Sequence, residues 1–220
     1  MFIGEVGTKM TTVESGRRPL GRRRTQEERS ATTREKVIQA AIDCIVEEGL
    51  HNTTAARIAA RSGVTWGAIA HQFGDKDSVL FAVVERNAEM YRGLLDAALK
   101  KAGATLPERV ETLVDVTWKY INEPAAFAFN ELIIHNRASS NAKIIGQQED
   151  LSYKQMSIVW DKFFGEFDLP VPKLETARNF TLATLQGLSL MRLITHRRPT
   201  FKRELVALKQ SVVQMLASET

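Results

Sequence analysis

Side chains that could catalyse a reaction or bind a metal are few and scattered in this 220-residue chain. Its four histidines, His51, His71, His135 and His196, do not cluster, and only His135 has a suggestive neighbour, Glu131, four residues earlier on a predicted helix. A metal site needs more ligands than this pair supplies. No second such pair, glycine-rich phosphate loop or nucleophile elbow is present. We therefore expect no metal, no cofactor and no enzymatic activity.

The single cysteine, Cys44, excludes an internal disulfide bond and, without a Cys/His cluster, a structural zinc site. It falls on the apolar stripe of a predicted helix, which favours a small core residue over a nucleophile. Arg17 and Arg18 could begin a twin-arginine export signal, but charged residues follow where an apolar core is required. The longest uncharged stretch, 179–191, is shorter than the roughly 20 residues of a membrane span. We expect a cytoplasmic protein without a membrane segment.

Residues 53–76 (TTAARIAARSGVTWGAIAHQFGDK) have the pattern of a helix-turn-helix. Ile58 and Ala59 lie on the inward face of a first short helix, and Gly63 can take the positive φ that a tight turn requires. Thr65 suits the N-cap of a second helix, whose apolar stripe continues at helical spacing. Two short helices that cross at a glycine turn expose the second one, which then fits a DNA major groove about 12 Å wide.

The exposed end of that second helix carries residues suited to DNA. We expect Trp66 to contact a thymine methyl group or a sugar, unless it packs on the domain surface, and Gly67 to allow close approach. Lys76 opens the next helix, where free backbone amides attract a phosphate. An N-terminal run of arginines suits phosphates or a minor groove, although a solubilising tail has the same composition. The predicted DNA contacts are Thr54, Thr65, Trp66, Gly67, His71, Lys76, Arg22, Arg23 and Arg24.

Positive charge is concentrated towards the N-terminal third. Residues 1–76 contain 12 Lys and Arg against nine Asp and Glu, whereas the formal net charge of the whole chain is +4. This asymmetry suits a DNA-facing end, although an ordinary solvated basic face has the same composition. With 44% hydrophobic residues, the chain can also bury a substantial core.

The run GVTWGAIAHQFGDKDSVLFAVVE resembles the recognition helix and following helix of TetR-family transcriptional repressors, which read Gly-Val-Ser/Thr-x-Gly-x-Leu-Tyr-x-His-Phe-x-x-Lys-x-x-Leu. The resemblance is motif-specific over roughly residues 32–85. Ala70 stands where the family has a Tyr that touches a DNA phosphate, and Gln72 stands where it has His or Tyr. The resemblance implies a homodimeric, effector-controlled DNA-binding regulator. The positions that match are Gly63, Val64, Thr65, Gly67, Ile69, Phe73, Lys76 and Leu80.

Further helices are predicted on both sides of this unit. Thr32 and Glu35 form a capping box that starts helix 1, and Gly49 ends it. Asp75 caps a long helix that runs to about Leu99 and links the unit to the rest of the chain. Beyond it the pattern stays helical, without a period-2 strand, so the fold class is all-α. We predict a disordered basic arm (1–30), an N-terminal three-helix helix-turn-helix DNA-binding domain (31–76) and a C-terminal helical effector-binding and dimerisation domain (77–220).

The last two predicted helices suggest an interface between two copies of the chain. From about 173 to 195 the helix is apolar around much of its circumference, and from Pro199 onwards apolar residues alternate spacings of four and three, as in a coiled coil. Such a pair fits half of a four-helix dimer bundle, or the core of a monomer. The predicted interface residues are Thr181, Leu185, Leu188, Phe201, Leu205, Leu208 and Val212.

Aromatic residues concentrate on the three helices between the linking helix and the last two. Polar residues among them fit a mostly apolar ligand pocket with a few convergent polar groups, although large side chains at helical spacing also build ordinary cores. Because no Arg or Lys cluster lies among them, we expect a largely apolar ligand with one polar handle. The predicted ligand contacts are Tyr91, Trp118, Phe127, Asn130, His135, Met156, Trp160, Phe163 and Gln186.

These features together predict a transcriptional regulator, a repressor that a small hydrophobic effector releases from a palindromic operator in double-stranded DNA. The alternative is a helical ligand-binding protein whose helix-turn-helix no longer binds DNA specifically. Ala70 supports the alternative. Polar or aromatic residues at the exposed end of the recognition unit argue against it, because core packing would not require them there.

Overall fold

The structure is a computed structural model that describes residues 25–136, 155–195 and 199–218. Within these ranges every regular element is helical, which confirms the all-α prediction. No helix there is long and apolar enough to cross a membrane. The α-helices are α1 (Gln26–Glu48), α2 (Ala55–Ser62), α3 (Trp66–Phe73), α4 (Lys76–Leu99), α5 (Leu106–Ile121), α6 (Pro124–Asn136), α7 (Gln155–Phe164), α8 (Val171–Ile194) and α9 (Lys202–Ala217), with short 3-10 helices at Leu50–Asn52 and Gly165–Phe167.

Helix α1 begins earlier than the sequence predicted. Its capping box is formed by Thr25 and Glu28, whereas Thr32 lies inside the helix and donates its hydroxyl to the Glu28 carbonyl oxygen at 2.7 Å. The predicted start at Thr32 and Glu35 is therefore wrong. The pattern Thr-x-x-Glu occurs at both places, and the earlier one begins the helix because nothing between them interrupts it. Residues 26–30, assigned to the arm, are helical, and residues 1–24 lie outside the described ranges.

The helix-turn-helix has the predicted geometry. Gly63 ends α2 in the left-handed region, with φ 67° and ψ 20°, and Thr65 caps α3 with its hydroxyl. Ile58 of α2 and Ile69 of α3 are completely buried. Each contributes roughly 1.5 to 3 kcal/mol by leaving water, so the two short helices are held by their inward faces.

Helix α4 joins two apolar clusters. Its first half, including Val79 and Val83, packs with α1, α2, α3 and part of α6 in a cluster we call the N-terminal core. Its second half, including Tyr91 and Leu95, packs with α5, α7, α8 and α9 in a cluster we call the C-terminal core. As predicted, Asp75 caps this helix, accepting from the Ser78 amide at 2.7 Å. One continuous helix therefore connects the two cores.

Three of the remaining helices, α5, α6 and α8, begin at or next to a proline. Thr105 and Glu108 form a capping box at the start of α5, and Pro124 is the first residue of α6. Helices α8 and α9 follow Pro170 and Phe201, and Phe201 is held in the left-handed region at φ 53°. The sequence also predicts a helix over residues 149–167; α7 covers part of it, and residues 149–154 lie outside the described ranges.

Candidate DNA-binding surface and ligand cavity

Four of the predicted groove contacts, Thr65, Trp66, Gly67 and His71, lie on α3 or at its N-cap. Thr65 is exposed and accepts a hydrogen bond from the Ala68 amide at 3.3 Å, and His71, six residues later, is also exposed. Trp66 is half-buried because one side packs on the N-terminal core. Gly67 is exposed, and a Cβ built on it would meet nothing within 4 Å. The fold itself therefore does not require a glycine at this position.

Two further predicted DNA contacts, Thr54 and Lys76, lie at the starts of other helices. Thr54 caps α2 and accepts from the Arg57 amide at 3.3 Å, while Lys76 is the first residue of α4. The Asp75 carboxylate beside Lys76 accepts hydrogen bonds from Ser78, which lowers its pKa. A phosphate at this site would meet one cation together with a fixed negative charge. The three arm arginines, Arg22, Arg23 and Arg24, lie outside the described ranges.

Several arginines of the helix-turn-helix unit are already paired with carboxylates. Arg57 and Arg61 of α2 form ion pairs with Glu48 and Glu47 of α1. Arg34 lies over the Phe73 ring, 4.8 Å from its centroid to the guanidinium carbon, and also pairs with a glutamate of α4. These contacts hold α1 against its neighbours and neutralise charge that could otherwise face phosphate. By contrast, Lys76 makes no ion pair with any residue that the structure describes.

The two departures from the family motif have structural counterparts. Ala70 is half-buried on α3 and offers no polar group to DNA. The Gln72 amide donates to the backbone oxygen of Ser30 at 3.1 Å and lies 3.2 Å from its hydroxyl oxygen, which ties the end of α3 to the first turns of α1. In this chain, position 72 therefore contributes to packing of the unit.

A cavity of about 240 Å³ lies between α4, α5, α6, α7 and α8. The rings of Tyr91 and Tyr120 stack beside it, with centroids 4.2 Å apart and an interplanar angle of 25°. The Tyr91 and Thr117 hydroxyl oxygens are 2.9 Å apart, and burial raises the pKa of Tyr91 to about 12. The lining residues are Asn87, Ala88, Tyr91, Thr117, Tyr120, Ile121, Ala126, Phe129, Asn130, Ile133, Met156, Leu182 and Gln186.

The cavity brings together four of the nine predicted ligand contacts: Tyr91, Asn130, Met156 and Gln186. Trp160 and Phe163 are instead fully buried in the C-terminal core, where aromatic neighbours fill the space around them. Trp118 packs edge-on against Phe201, 6.2 Å between ring centroids. Phe127 is half-buried away from the cavity lining, and His135 is exposed. The structure places these five residues away from this cavity, because helical spacing does not say which face of a helix borders it.

Several cavity residues were missed from the sequence. Asn87 and Tyr120 are the most important, because both are buried and polar. A usable signal was present for Asn87: it lies one helical turn before Tyr91 on the apolar face of α4. A polar residue in such a stripe needs a partner or a role.

Helix α6 contacts both the cavity and the N-terminal core. Phe129 and Asn130 line the cavity, while Leu132 is buried in the N-terminal core. The Glu131 carboxylate accepts a hydrogen bond from the Leu50 amide at 2.7 Å, across 81 positions of sequence. Leu50 opens a 3-10 helix that has no side-chain cap of its own, so Glu131 caps it from a distant helix. No cluster of three or more metal-ligating side chains is found near Glu131 or elsewhere among residues 25–136, 155–195 and 199–218.

Most of the predicted dimer residues are buried within the single chain itself. Thr181 and Leu185 are fully buried, and Leu208 and Val212 are at most 3% exposed. Phe201 packs on Trp118 of the same chain, and Leu188 and Leu205 are half-buried. The predicted residues therefore lie mainly on the inward sides of these helices. Their outward sides carry other exposed apolar residues: Phe180, Leu190, Met191 and Ile194 on α8, and Val206 on α9.

Residues 37–83 match the sequence model of a family described as "Bacterial regulatory proteins, tetR family". The HTH-type transcriptional regulator BetI of Escherichia coli strain UMN026 is 35% identical over 86 residues, which cover 37% of this chain and 43% of the relative. The chain thus matches less than half the length of this relative, and the match covers about a third of the chain itself.

Two solved structures share the fold over most of both chains. A TetR family transcription regulator from Marinobacter aquaeolei VT8 has a TM-score of 0.64 and 17% identity, covering 88% of this chain and 100% of that one. The multidrug binding protein EbrR, complexed with imidazole, has a TM-score of 0.59 and 18% identity, covering 85% and 96%. The family match runs from the middle of α1 into the first third of α4, and the shared fold extends through the C-terminal helices. The helix-turn-helix unit of this chain is thus similar to that of the TetR family of bacterial regulatory proteins, and the described chain shares its fold with a solved TetR family regulator.

Proposed function

We propose that the chain is a homodimeric transcriptional repressor that binds a palindromic operator through α3 and leaves it when a small apolar effector enters the cavity. The observation that carries this proposal is Gly67. A glycine inside a helix costs roughly 0.5 to 1 kcal/mol relative to alanine, yet nothing in the chain crowds this position. A glycine at this position would leave room for a DNA surface to approach α3 closely, which explains why it is present.

In this proposal, different residues contact the DNA bases and the DNA phosphates. Thr65, Trp66, Gly67 and His71 face the major groove from α3, and Thr54 adds a contact from the start of α2. Lys76 and the first amides of α4 hold a phosphate. The arginines of the arm, Arg22 to Arg24, add sequence-independent attraction. Because Arg57 and Arg61 are paired within the chain, Lys76 carries much of the anchoring in the described part of the protein.

Dimerisation is proposed on the outward faces of α8 and α9. Two recognition helices must lie about 34 to 36 Å apart to enter successive major grooves, and a two-fold axis supplies that arrangement. Leu190 is 58% exposed and Ile194 is 70% exposed on α8, and Val206 is 53% exposed on α9. Water contact at such residues is unfavourable, and a second copy of the chain would cover them.

Effector control is proposed to act through α4 and α6, since each helix contacts both the cavity and the N-terminal core. EbrR, which shares the fold, is a multidrug binding protein, and the mostly apolar cavity of this chain suits a small apolar molecule. An effector lowers DNA affinity only to the extent that it binds the DNA-free arrangement of these helices more tightly than the DNA-bound one.

A ligand-binding protein that no longer recognises DNA is the second candidate. Ala70 supports it because the side chain offers no polar group to a phosphate, and so does the internal pairing of Arg57 and Arg61. The two candidates share the cavity and differ only in DNA binding.

The experiment that separates them compares Gly67→Leu with Gly93→Leu in a fluorescence anisotropy titration against DNA from upstream of the protein's own gene. Both glycines are exposed and helical, and a Cβ at either would meet nothing within 4 Å. Both variants should melt at or above the wild-type temperature. Gly67→Leu should lose at least about tenfold in DNA affinity through steric exclusion, while Gly93→Leu should bind normally. Equal affinity of Gly67→Leu and wild type would refute the proposed surface.

A further inference from the structure

We propose that Asn87 makes the cavity selective for a neutral ligand that carries a hydrogen-bond donor, such as a hydroxyl group or an amide N–H. The inference rests on the proposed effector cavity and specifies the chemistry of its polar handle. The expectation of an apolar ligand with one polar group left the kind of group open. The present inference specifies that this group donates a hydrogen bond and that Asn87 accepts it.

The side chain of Asn87 lines the cavity and is only 2% exposed. Its Oδ1 atom has no hydrogen-bond partner among the described residues. Buried acceptors without a partner are rare in folded proteins, because each one forgoes its hydrogen bonds to water. A ligand donor placed in the cavity would supply the missing bond.

Tyr120 lines the same cavity, and burial raises the pKa of its hydroxyl group. Its phenol is therefore neutral near pH 7 and does not compete with a ligand as an anion. Among the described residues, the Oδ1 atom of Asn87 remains without a partner and can accept a hydrogen bond from the ligand.

The charge of the ligand follows from the rest of the lining. None of the described lining residues is Lys, Arg, His, Asp or Glu. Tyr91 and Tyr120 both have raised pKa values and stay neutral near pH 7. A carboxylate would face the Oδ1 lone pairs without a cation, and an ammonium ion would lack a counter-charge. Burying either ion unpaired is costly, so the cavity favours a neutral donor.

The size of the ligand follows from the cavity volume. A cavity of roughly 150 Å³ in another protein accepts benzene, and this one measures about 240 Å³. A fused two-ring aromatic molecule fits that volume, and the stacked rings of Tyr91 and Tyr120 form an aromatic wall beside it. Naphthalene derivatives are therefore suitable probes.

Three probes that share a skeleton test the inference by isothermal titration calorimetry on the full chain without DNA. They are 2-naphthol, which donates a hydrogen bond; 2-methoxynaphthalene, which only accepts; and 2-naphthoate, which is an anion. The wild-type protein should bind 2-naphthol about tenfold more tightly than 2-methoxynaphthalene, because an unmade bond to a buried acceptor costs about this factor. It should bind 2-naphthoate more weakly than either.

Asn87→Leu removes the hydrogen-bond acceptor and replaces it by an apolar side chain of similar size. This variant should therefore bind 2-naphthol and 2-methoxynaphthalene equally. Asn87→Ala provides the same comparison if the leucine variant fails to fold. Gln210→Leu is the control: it also replaces an amide side chain by leucine, but Gln210 is exposed on α9 and does not line this cavity. It should keep the tenfold preference for 2-naphthol.

Several results would overturn the inference. They are equal binding of the two neutral probes by the wild type, tighter binding of the methoxy compound, survival of the preference in both Asn87 variants, and no binding of any probe at its solubility limit. Failure of the effector proposal is seen separately. It would appear as 2-naphthol binding with the expected preference but without any change in affinity for DNA.

Discussion

Replacing Glu131 tests whether α6 is fastened to the helix-turn-helix unit. Its carboxylate accepts from the Leu50 amide at 2.7 Å, and that amide belongs to a 3-10 helix without its own side-chain cap. Leu50 itself is 6% exposed. Glu131→Ala would leave a largely buried N–H without a partner, and we expect the free energy of unfolding to fall by about 1 to 3 kcal/mol.

Glu131→Gln separates the hydrogen bond from the charge. Glutamine keeps an acceptor oxygen at nearly the same place, but a neutral acceptor forms a bond roughly half as strong as an ionised one. This variant should therefore lose clearly less stability than Glu131→Ala. Because α6 also lines the cavity through Phe129 and Asn130, the alanine variant should in addition show a smaller effect of a bound ligand on DNA affinity.

Urea unfolding followed by circular dichroism measures the stability change, and an unchanged m-value shows that the unfolded state is unaffected. DNA titrations with and without a cavity ligand measure the coupling. The reasoning fails if Glu131→Ala lies within about 0.5 kcal/mol of the wild type, or if glutamine is as harmful as alanine.

Three further predictions concern anchoring, assembly and pH. Lys76→Ala should weaken binding to all DNA sequences equally and reduce the salt slope by about one, whereas a change in sequence preference would give Lys76 a reading role instead. Leu190→Glu should yield folded monomers in light-scattering chromatography, whereas Leu185→Glu should unfold the chain because it buries a charge; folded dimers of Leu190→Glu would refute the proposed interface. The pKa of Tyr91 rises from 10.0 to about 12 on folding, so its neutral form stabilises the folded state below pH 10 and this contribution is lost towards pH 12. Tyr91→Phe should show a smaller loss of stability over that range, and equal losses would contradict the assignment.

The helix-turn-helix was predictable from sequence because its determinants are local. A glycine at the turn, Gly63, and capping side chains at Thr65 and Asp75 specify where each helix begins or ends. The start of α1 was not decided in the same way. The Thr-x-x-Glu pattern occurs at Thr25 and again at Thr32. Because both copies satisfy the capping-box rule equally well, the rule alone does not identify the one that starts the helix.

The proposed dimer surface and the cavity depend on contacts between distant segments. Periodicity shows that Leu185 and its neighbours share a face of α8, but not that this face covers the chain's own core. Residues on the opposite side, such as Leu190, look equally apolar in sequence. The cavity arises where five helices leave a gap, so Tyr120 borders it while Trp160 fills the core nearby.

Selection of bound sequences from random DNA by the full-length chain tests the central claim most directly. Recognition by two α3 helices related by a two-fold axis predicts a palindromic sequence with half-site centres 10 to 10.5 base pairs apart, or a multiple of that spacing. Gly67→Leu, carried through the same selection, should enrich no such sequence. Failure of the wild-type protein to enrich any palindrome, or enrichment of the same palindrome by Gly67→Leu, would contradict DNA recognition through α3.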